Sequence, residues 1–565
     1  MKRESTNEVV SSIDKQVALK YQLAAFLLLF FQITAFAGSG SLLPPKDVIS
    51  SITKQELKRH LNFLASDELG GRYSFSSSNH IAARYLASHL EAYGFRGAAR
   101  DGSYFQKVPF VTLNIADKFN RAALVVGNEE QKLNYPEDFI FYNTGERTTL
   151  KLAGDNLRAK FSGSLVFVGY GISSPRNNYD DYAGLDVKGK IVVRVDNRPT
   201  ALNNAKLEAT EYRDGAAKAH GAIAAIVIST RIQKMWTNFR DTLLNEKEMR
   251  PRPRPDILAR KWQEESDPAI PEILAGPRLV QALTSLMRES ENYLNEAEGY
   301  TLRPRNLDAS IQIDTGFTLS EAPPTYNVVG IFDGADPKLK NEYVVLSAHY
   351  DHLEDSQKRG DVYNGADDNA SGVATILEIA DALAQGKRPK RSIMIVFYTA
   401  EELGLYGSQF NTDYDPLVPL SNIAANFNLD MVGRSAKKGD TYKHPPFGDK
   451  TTDENSVYII TNDSQFKELK NIHEEINAKT VRLQSDYTYS NLKHPSRLYY
   501  RTDSYNYAKS NIPFITYFTG WHQDYHKPTD EINKIDFSKM ERITRLAFAT
   551  SWHFANSDFS LLRKN

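Results

Sequence analysis

The chain has 565 residues, and its 69 Lys and Arg against 70 Asp and Glu leave a formal net charge of -1, which argues against a polybasic nucleic-acid binder. It contains no cysteine, which excludes disulfides, thiolate zinc sites, iron–sulfur clusters and thiol nucleophiles; any metal must be held by His, Asp or Glu. Hydrophobic residues make up 41%. That is too apolar for intrinsic disorder, and the length is enough for about two to four domains, or fewer if one is a large α/β domain.

Residues 23–37 (LAAFLLLFFQITAFA) follow Lys20 and end in Ala35-Phe36-Ala37, small residues where a signal peptidase reads. At about 15 apolar residues the run is short for a bilayer span, which needs about 20. We expect residues 1–37 to be a secretory signal peptide or, if uncleaved, an N-terminal anchor. The chain is then exported, periplasmic or extracellular, and meets a membrane only through that segment.

Helical spacing of Leu57, Leu61 and Leu64 predicts a helix over 54–66, and Ile81, Ala82, Tyr85, Leu86 and Leu90 predict another over 80–93. A glycine-containing loop (ELGGRYSFSS) joins them. From 119 to 277 short β-like runs dominate: SLVFVGYGI (164–172), GKIVVRV (189–195) and AIAAIVI (222–228). The charged, proline-rich stretch 231–272 (with RPRPRPD) reads as a surface excursion. From Tyr326 strand-like runs alternate with amphipathic helices: 328–332, 342–350, a helix at 371–385, 392–400, 422–433 and 512–520. Such alternation predicts an α/β fold with a mostly parallel mixed sheet flanked by helices. The expected division is 48–118 as N-terminal helices of the large domain, 119–300 as a β-rich insert and 310–560 as the catalytic domain.

Ligands of open α/β sheets bind beyond the carboxyl ends of the strands. His349-Tyr350-Asp351-His352 follows VVL; a neutral His349 imidazole suits a metal, and Asp351 can accept its other ring N–H. Gly365-Ala366-Asp367-Asp368-Asn369 opens a helix. Capping needs one such residue, and a second carboxylate can bridge two ions. Glu401 and Glu402 end the apolar run SIMIVFY, an expensive place for two acids unless something cationic meets them. One of the two can bind metal while the other acts as general base. Asp430 ends NFNL, and His526 follows the last strand-like run. Oxygen and nitrogen donors without sulfur suit zinc, and five ligands with one shared carboxylate give each of two ions three protein contacts.

The strings SAHYDHL, NGADDNASG, YTAEELGLYGS, NLDMVGR and DYHKPTD, in this order and spacing, resemble the co-catalytic zinc aminopeptidases, the family that includes aminopeptidase Y, glutamate carboxypeptidase and the peptidase-like domain of the transferrin receptor. FVGYGISSP, YDDYAGLDVKGKIVV and AHGAIAAIVI resemble the protease-associated domain often inserted ahead of that domain. The resemblance implies a zinc-exopeptidase-like fold and two zinc ions, with manganese or cobalt as substitutes. Asp368 would bridge them, His349 and Asp430 would complete one site, and Glu402 and His526 the other. Glu401 would be the general base, Asp351 would orient His349, and Tyr525 would donate to the developing oxyanion. The sequence departs from the pattern at Ser504, where many relatives carry His after the Asp of RTDSY.

The implied function is an exported zinc-dependent aminopeptidase acting on peptides with a free N-terminus. A dipeptidase or carboxypeptidase on the same scaffold would need a cation for the substrate carboxylate, and Arg434 and Arg501 are near the right motifs. A glutaminyl cyclase or a mainly protein-binding module are the remaining alternatives. His60, His89 and His473 read as ordinary packing or surface histidines, and His352 and His522 sit beside expected ligands. Nothing in the sequence points to nucleic acid or gives an oligomeric state.

Overall fold

A computed structural model describes residues 42–557, apart from 116–118, 142–150, 153–155, 203–204, 246–251, 254–269, 288–301, 355–360 and 463. The apolar run 23–37 and most of RPRPRPD lie outside the described residues, so the signal or anchor expectation is not addressed. Among the described residues no helix is long and apolar enough to cross a membrane. Two compact units are present: one from the segments ending at Val108 and starting at Thr325, the other Pro109–Pro324.

The first unit is built on a sheet of nine strands among the described residues. In chain order they are β1 (Arg96–Gly97), β2 (Phe105–Val108), β3 (Thr325–Phe332), β4 (Tyr343–His349), β5 (Ser392–Tyr398), β6 (Ile423–Leu429), β7 (Ser456–Thr461), β8 (Gln484–Asp486) and β9 (Phe514–Phe518). The spatial order is β1-β3-β5-β4-β6-β9-β7-β8, with β2 also on β3. The four central strands β5, β4, β6 and β9 are mutually parallel, and β3 and β7 flank them antiparallel. Each central strand is buried along its whole length or nearly so. Continuous apolar runs such as SIMIVFY are what a parallel sheet covered on both faces requires.

The covering helices are α1 (Lys46–Ser51), α2 (Lys54–Leu64), α3 (Ser77–Ala92), α4 (Gly372–Gln385), α5 (Lys467–Lys479) and α6 (Phe537–Asn556). The starts of α2, α3 and α6 are capped by a side chain. The Thr53 hydroxyl accepts from the Glu56 amide, Ser76 from Asn79, and the Asp536 carboxylate from Ser538 and Lys539. Alternate residues of each strand divide between two cores. Val344, Leu346 and Ala348 join Leu57, Leu61, Leu86, Leu377 and Leu546 on one face. Val345, Met394 and Val396 pack with Tyr507 and Ile512 on the other. The elements expected from periodicity are present with shifted ends: most are trimmed by a few residues, while the helix expected at 80–93 starts at Ser77, the strand expected at 328–332 starts at Thr325 and the run expected at 164–172 is the strand Asn156–Phe167. Strands β1, β2, β7 and β8 and helices α1 and α6 were not anticipated, and α5 only as a helical pattern around His473.

The second unit holds a mixed sheet of eleven strands among the described residues. Its spine is a long antiparallel pair, Asn156–Phe167 with Arg305–Glu321. Phe167 then leads a parallel set through Ile191–Val195, Ala224–Ile228 and Glu272–Ala275. This moves the expected boundaries. Residues 109–115 and 305–321 pair within this sheet, so the insert runs from 109 to 324 rather than 119 to 300, and the second segment of the first unit starts at 325 rather than 310. The stretch 231–272 is not all surface excursion, because Ile232, Trp236 and Glu272 are buried.

Candidate metal centre and active site

All four parallel strands deliver site residues from their carboxyl ends. His349 is the last residue of β4. Glu401 and Glu402 follow β5 through Ala400, whose positive φ of 55° turns the chain out of the strand. Asp430 follows β6, and Trp521, Tyr525 and His526 follow β9. Asp368 lies in the irregular turn Ala366–Ser371 that leads into α4; its own φ/ψ (-104°, 95°) is not helical. The turn begins at Gly365, at φ 54°, where a Cβ would meet the His352 ring at 2.6 Å.

These residues converge. His349 Nε2 lies 3.3 Å from Asp368 Oδ1 and 3.5 Å from Asp430 Oδ1. His526 Nε2 lies 3.2 Å from Asp368 Oδ2 and 3.1 Å from Glu402 Oε2. The two oxygens of Asp368 thus face two different donor groups. Although buried and this close to two carboxylates, His526 Nε2 makes no hydrogen bond. Donors held 2.0–2.1 Å from a tetrahedral zinc are about 3.3 Å apart, so these four His–carboxylate separations suit a cation between each pair, and three donor atoms come within 4.8 Å of one another in His349, Asp368 and Asp430 and in His352, Asp368 and Glu402. All five expected ligands are therefore brought together, and Glu401 joins them with Oε2 3.8 Å from His349 Nε2.

The charges crowded here pull strongly on one another. Burial alone would raise the Asp368 carboxyl, but the imidazoles of His349 and His526 facing its two oxygens hold it well below the usual range. Burial would lower His349, yet Glu401, Asp351, Asp368 and Asp430 together hold it well above its ordinary value. Burial also pulls on His526, and Asp368 and Glu402 override it, raising the ring to about 10. Burial, then Glu402, Asp503 and Asp430 against an opposing His349, pushes Glu401 well up. The site is acid-rich, and positive charge in it is strongly favoured.

Three expectations change in detail. Asp351 does not orient His349 through its carboxylate. His349 Nδ1 meets the Asp351 backbone carbonyl at 3.1 Å while the nearest carboxylate oxygen is 3.8 Å away. That carboxylate accepts instead from the Glu401 amide, at the end of the neighbouring parallel strand, and from the Ser74 hydroxyl. His352, left as a bystander by the sequence, has Nδ1 2.7 Å from Glu402 Oε1 and 3.8 Å from Asp368 Oδ2. It thereby forms with these two acids a second possible donor set. Ser504 does not line the cavity. Its hydroxyl donates to Asn426 and accepts from Thr516 inside the fold, so the missing histidine removes no cavity wall.

A layer beneath fixes the loops. Asp530 Oδ2 accepts from the amides of both Asp367 and Asp368, at 2.9 and 3.1 Å. Arg434 holds Asp530 and, at 2.6 Å, Asp524. Arg72, fully buried, donates to the carbonyls of Tyr350, Leu64, Asn364 and Gly365, tying the N-terminal helices to the loops on either side of the site. Asp503 is buried with neither carboxylate oxygen hydrogen-bonded, and burial pushes it up to about 7 against His349. Sequence reasoning did not reach Arg72, Asp503 or Asp530; the position of Asp530 four residues after His526, in the same motif, was the available signal.

The donors open into a cavity of about 370 Å³ walled by Met431, Leu498, Tyr500, Phe518 and Trp521. Tyr525 stacks on His526 at 3.7 Å, and its hydroxyl has no hydrogen-bond partner among the described residues. Burial beside Asp368 and Glu402 keeps that phenol protonated.

The model of Peptidase family M28 matches residues 327–551. Aminopeptidase YwaD of Bacillus subtilis is 38% identical over 116 residues, 20% of this chain and 23% of that protein. Leucine aminopeptidase 2 of Trichophyton equinum is 28% identical over 232 residues, 40% of each chain. The chain thus spans about a quarter to two-fifths of the length of these curated relatives. Among solved structures, an aminopeptidase from Aneurinibacillus sp. strain AM-1 aligns over 92% of this chain and 98% of its own, at 16% identity and a TM-score of 0.45.

Proposed function

We propose, from the premise that residues 327–551 form a domain of Peptidase family M28, that the protein is a two-zinc aminopeptidase that removes N-terminal residues from peptides. One observation carries the reading: two donor groups share the carboxylate of Asp368, one oxygen each. In this reading His349 and Asp430 complete one zinc site and Glu402 and His526 the other. His526 is preferred to His352 because it lines the cavity, whereas His352 does not and its Nδ1 is committed to Glu402, which it orients.

Bound zinc ions would supply Lewis acidity toward the peptide carbonyl and lower the pKa of a water. The chain's own groups do the rest. Glu401 borders the cavity, and its backbone is pinned by Asp351, so its carboxylate is positioned to take a proton from the attacking water. The water oxygen bonds to the carbonyl carbon, Glu401 passes the proton to the amine nitrogen, and the C–N bond breaks. Tyr525, protonated and lining the same cavity, would donate to the oxygen that gains charge. Export through residues 23–37 belongs to the same proposal, and cell fractionation of the full chain tests it.

The decisive experiment is a panel of aminoacyl p-nitroanilides and short peptides, with and without chelator. Chelator-sensitive release of the N-terminal residue is expected. Hydrolysis that ignores chelator, or none at all, contradicts the reading.

A further inference from the structure

The cavity walls carry one Lys or Arg side chain, Arg501. The other arginine beside a site motif, Arg434, is buried and occupied by Asp524 and Asp530. Arg501 is exposed, and its guanidinium has no carboxylate partner among the described residues. It follows the turn Leu498–Tyr500, with its amide donating to the Leu498 carbonyl. Its guanidinium lies 5.8 Å from the ring of Trp521. Trp521 is itself buried, stacked on His444 at 5.4 Å and edge-on to Phe518 and Tyr489, so it is a stiff shelf. An arginine resting on an aromatic face keeps its fork of donors free for a ligand.

Charge balance indicates which ligand. Two dications would neutralise the four carboxylates Asp368, Glu401, Glu402 and Asp430, leaving Arg501 as one uncompensated positive charge on the same cavity. A guanidinium in that position is matched by a planar carboxylate, which it can grip with two parallel hydrogen bonds. We propose that Arg501 binds a carboxylate of the substrate, so that the preferred peptides carry a free carboxylate close to the scissile bond. The source is either the C-terminus of a dipeptide or an acidic first side chain. This rests on the aminopeptidase reading and adds its substrate class.

The test compares kcat/KM for Leu-Gly against Leu-glycinamide, and for Glu-p-nitroanilide against Gln-p-nitroanilide, in the zinc-loaded wild type, R501Q, R501K and R501E. Charge-assisted bonding of this kind predicts a preference of about tenfold for the charged member of one pair in the wild type. The preference should be partly kept in R501K, vanish in R501Q and reverse in R501E. The pair that responds identifies the carboxylate's source. Calorimetric titration of the same proteins with D-Leu-Gly and D-Leu-glycinamide reads the C-terminal preference without turnover. Ratios that are the same in wild type, R501Q and R501E for both pairs overturn the proposal. Turnover itself separates the two failures: if the wild type cleaves any of these substrates while no ratio responds, only the role of Arg501 falls, and if it cleaves none of them, the peptidase reading falls as well.

Discussion

Two buried acid–histidine clusters in the first unit use the same side chains and reach opposite states. In the candidate metal centre, His349 and His526 lie 3.1–3.5 Å from carboxylates that face a cavity, and the acids outnumber the imidazoles. In the helical layer, His60 Nε2 lies 3.4 Å from Glu378 and its Nδ1 2.8 Å from the Tyr85 hydroxyl, with the His89 ring 4.9 Å away. There burial, reinforced by Asp381 and Glu56, pushes Glu378 up to about 8, and burial together with Arg59 takes His60 down to about 4. A neutral acid therefore faces a neutral ring at pH 7, and nothing cationic is needed. Among the described residues, only the site's side chains bring three donor atoms within 4.8 Å of one another. Convergence on a shared void, rather than residue type, separates a metal centre from a packed polar cluster.

That contrast can be broken or sharpened by substitution. The largest effect is expected for Asp368→Ala, which removes a donor from both groups: zinc content by elemental analysis should collapse, with activity at background. Unchanged stoichiometry would make Asp368 an ordinary buried acid like Glu378. Glu401→Ala should keep its zinc and lose about 10²–10⁴ in kcat, the usual scale of general acid–base catalysis; full turnover would remove Glu401 from its role. Asp530→Asn weakens the support beneath Asp368, and loss of such support commonly costs about 10-fold or more in metal affinity, which competition with a chelating dye would measure.

The smallest effect belongs to the helical cluster. Because its folded pKa is raised, Glu378 keeps a proton in the native state that the unfolded chain releases from about pH 4.5 upward. Its stabilising contribution is complete below that value and is lost as pH rises toward 8. His60 has the opposite sign, costing stability as pH falls from 6.5 toward 4. Glu378→Gln should therefore raise Tm at pH 8 by about 4 °C, do much less at pH 5, and leave peptide hydrolysis unchanged. An activity loss would tie this cluster to the site.

The central strands and the ends that carry the site were legible in the sequence because a parallel strand buried on both faces is a continuous apolar run, and an acid or histidine just after it stands out. SIMIVFY before Glu401 and VVLSA before His349 are such cases. Strand β7 has half-buried positions among buried ones and gives a weaker run, and Arg305–Glu321 is polar along much of its length, so the insert was drawn too short. Relations made only by folding were out of reach. These include Arg72 reaching four carbonyls, His352 meeting Glu402 across fifty residues, and the different fates of Arg434 and Arg501.

The central claim is that two donor groups sharing Asp368 hold two cations. Elemental analysis of the full wild-type chain after saturation with zinc and exhaustive dialysis tests it most directly. The account predicts two zinc ions per chain; one ion, or none, would contradict it.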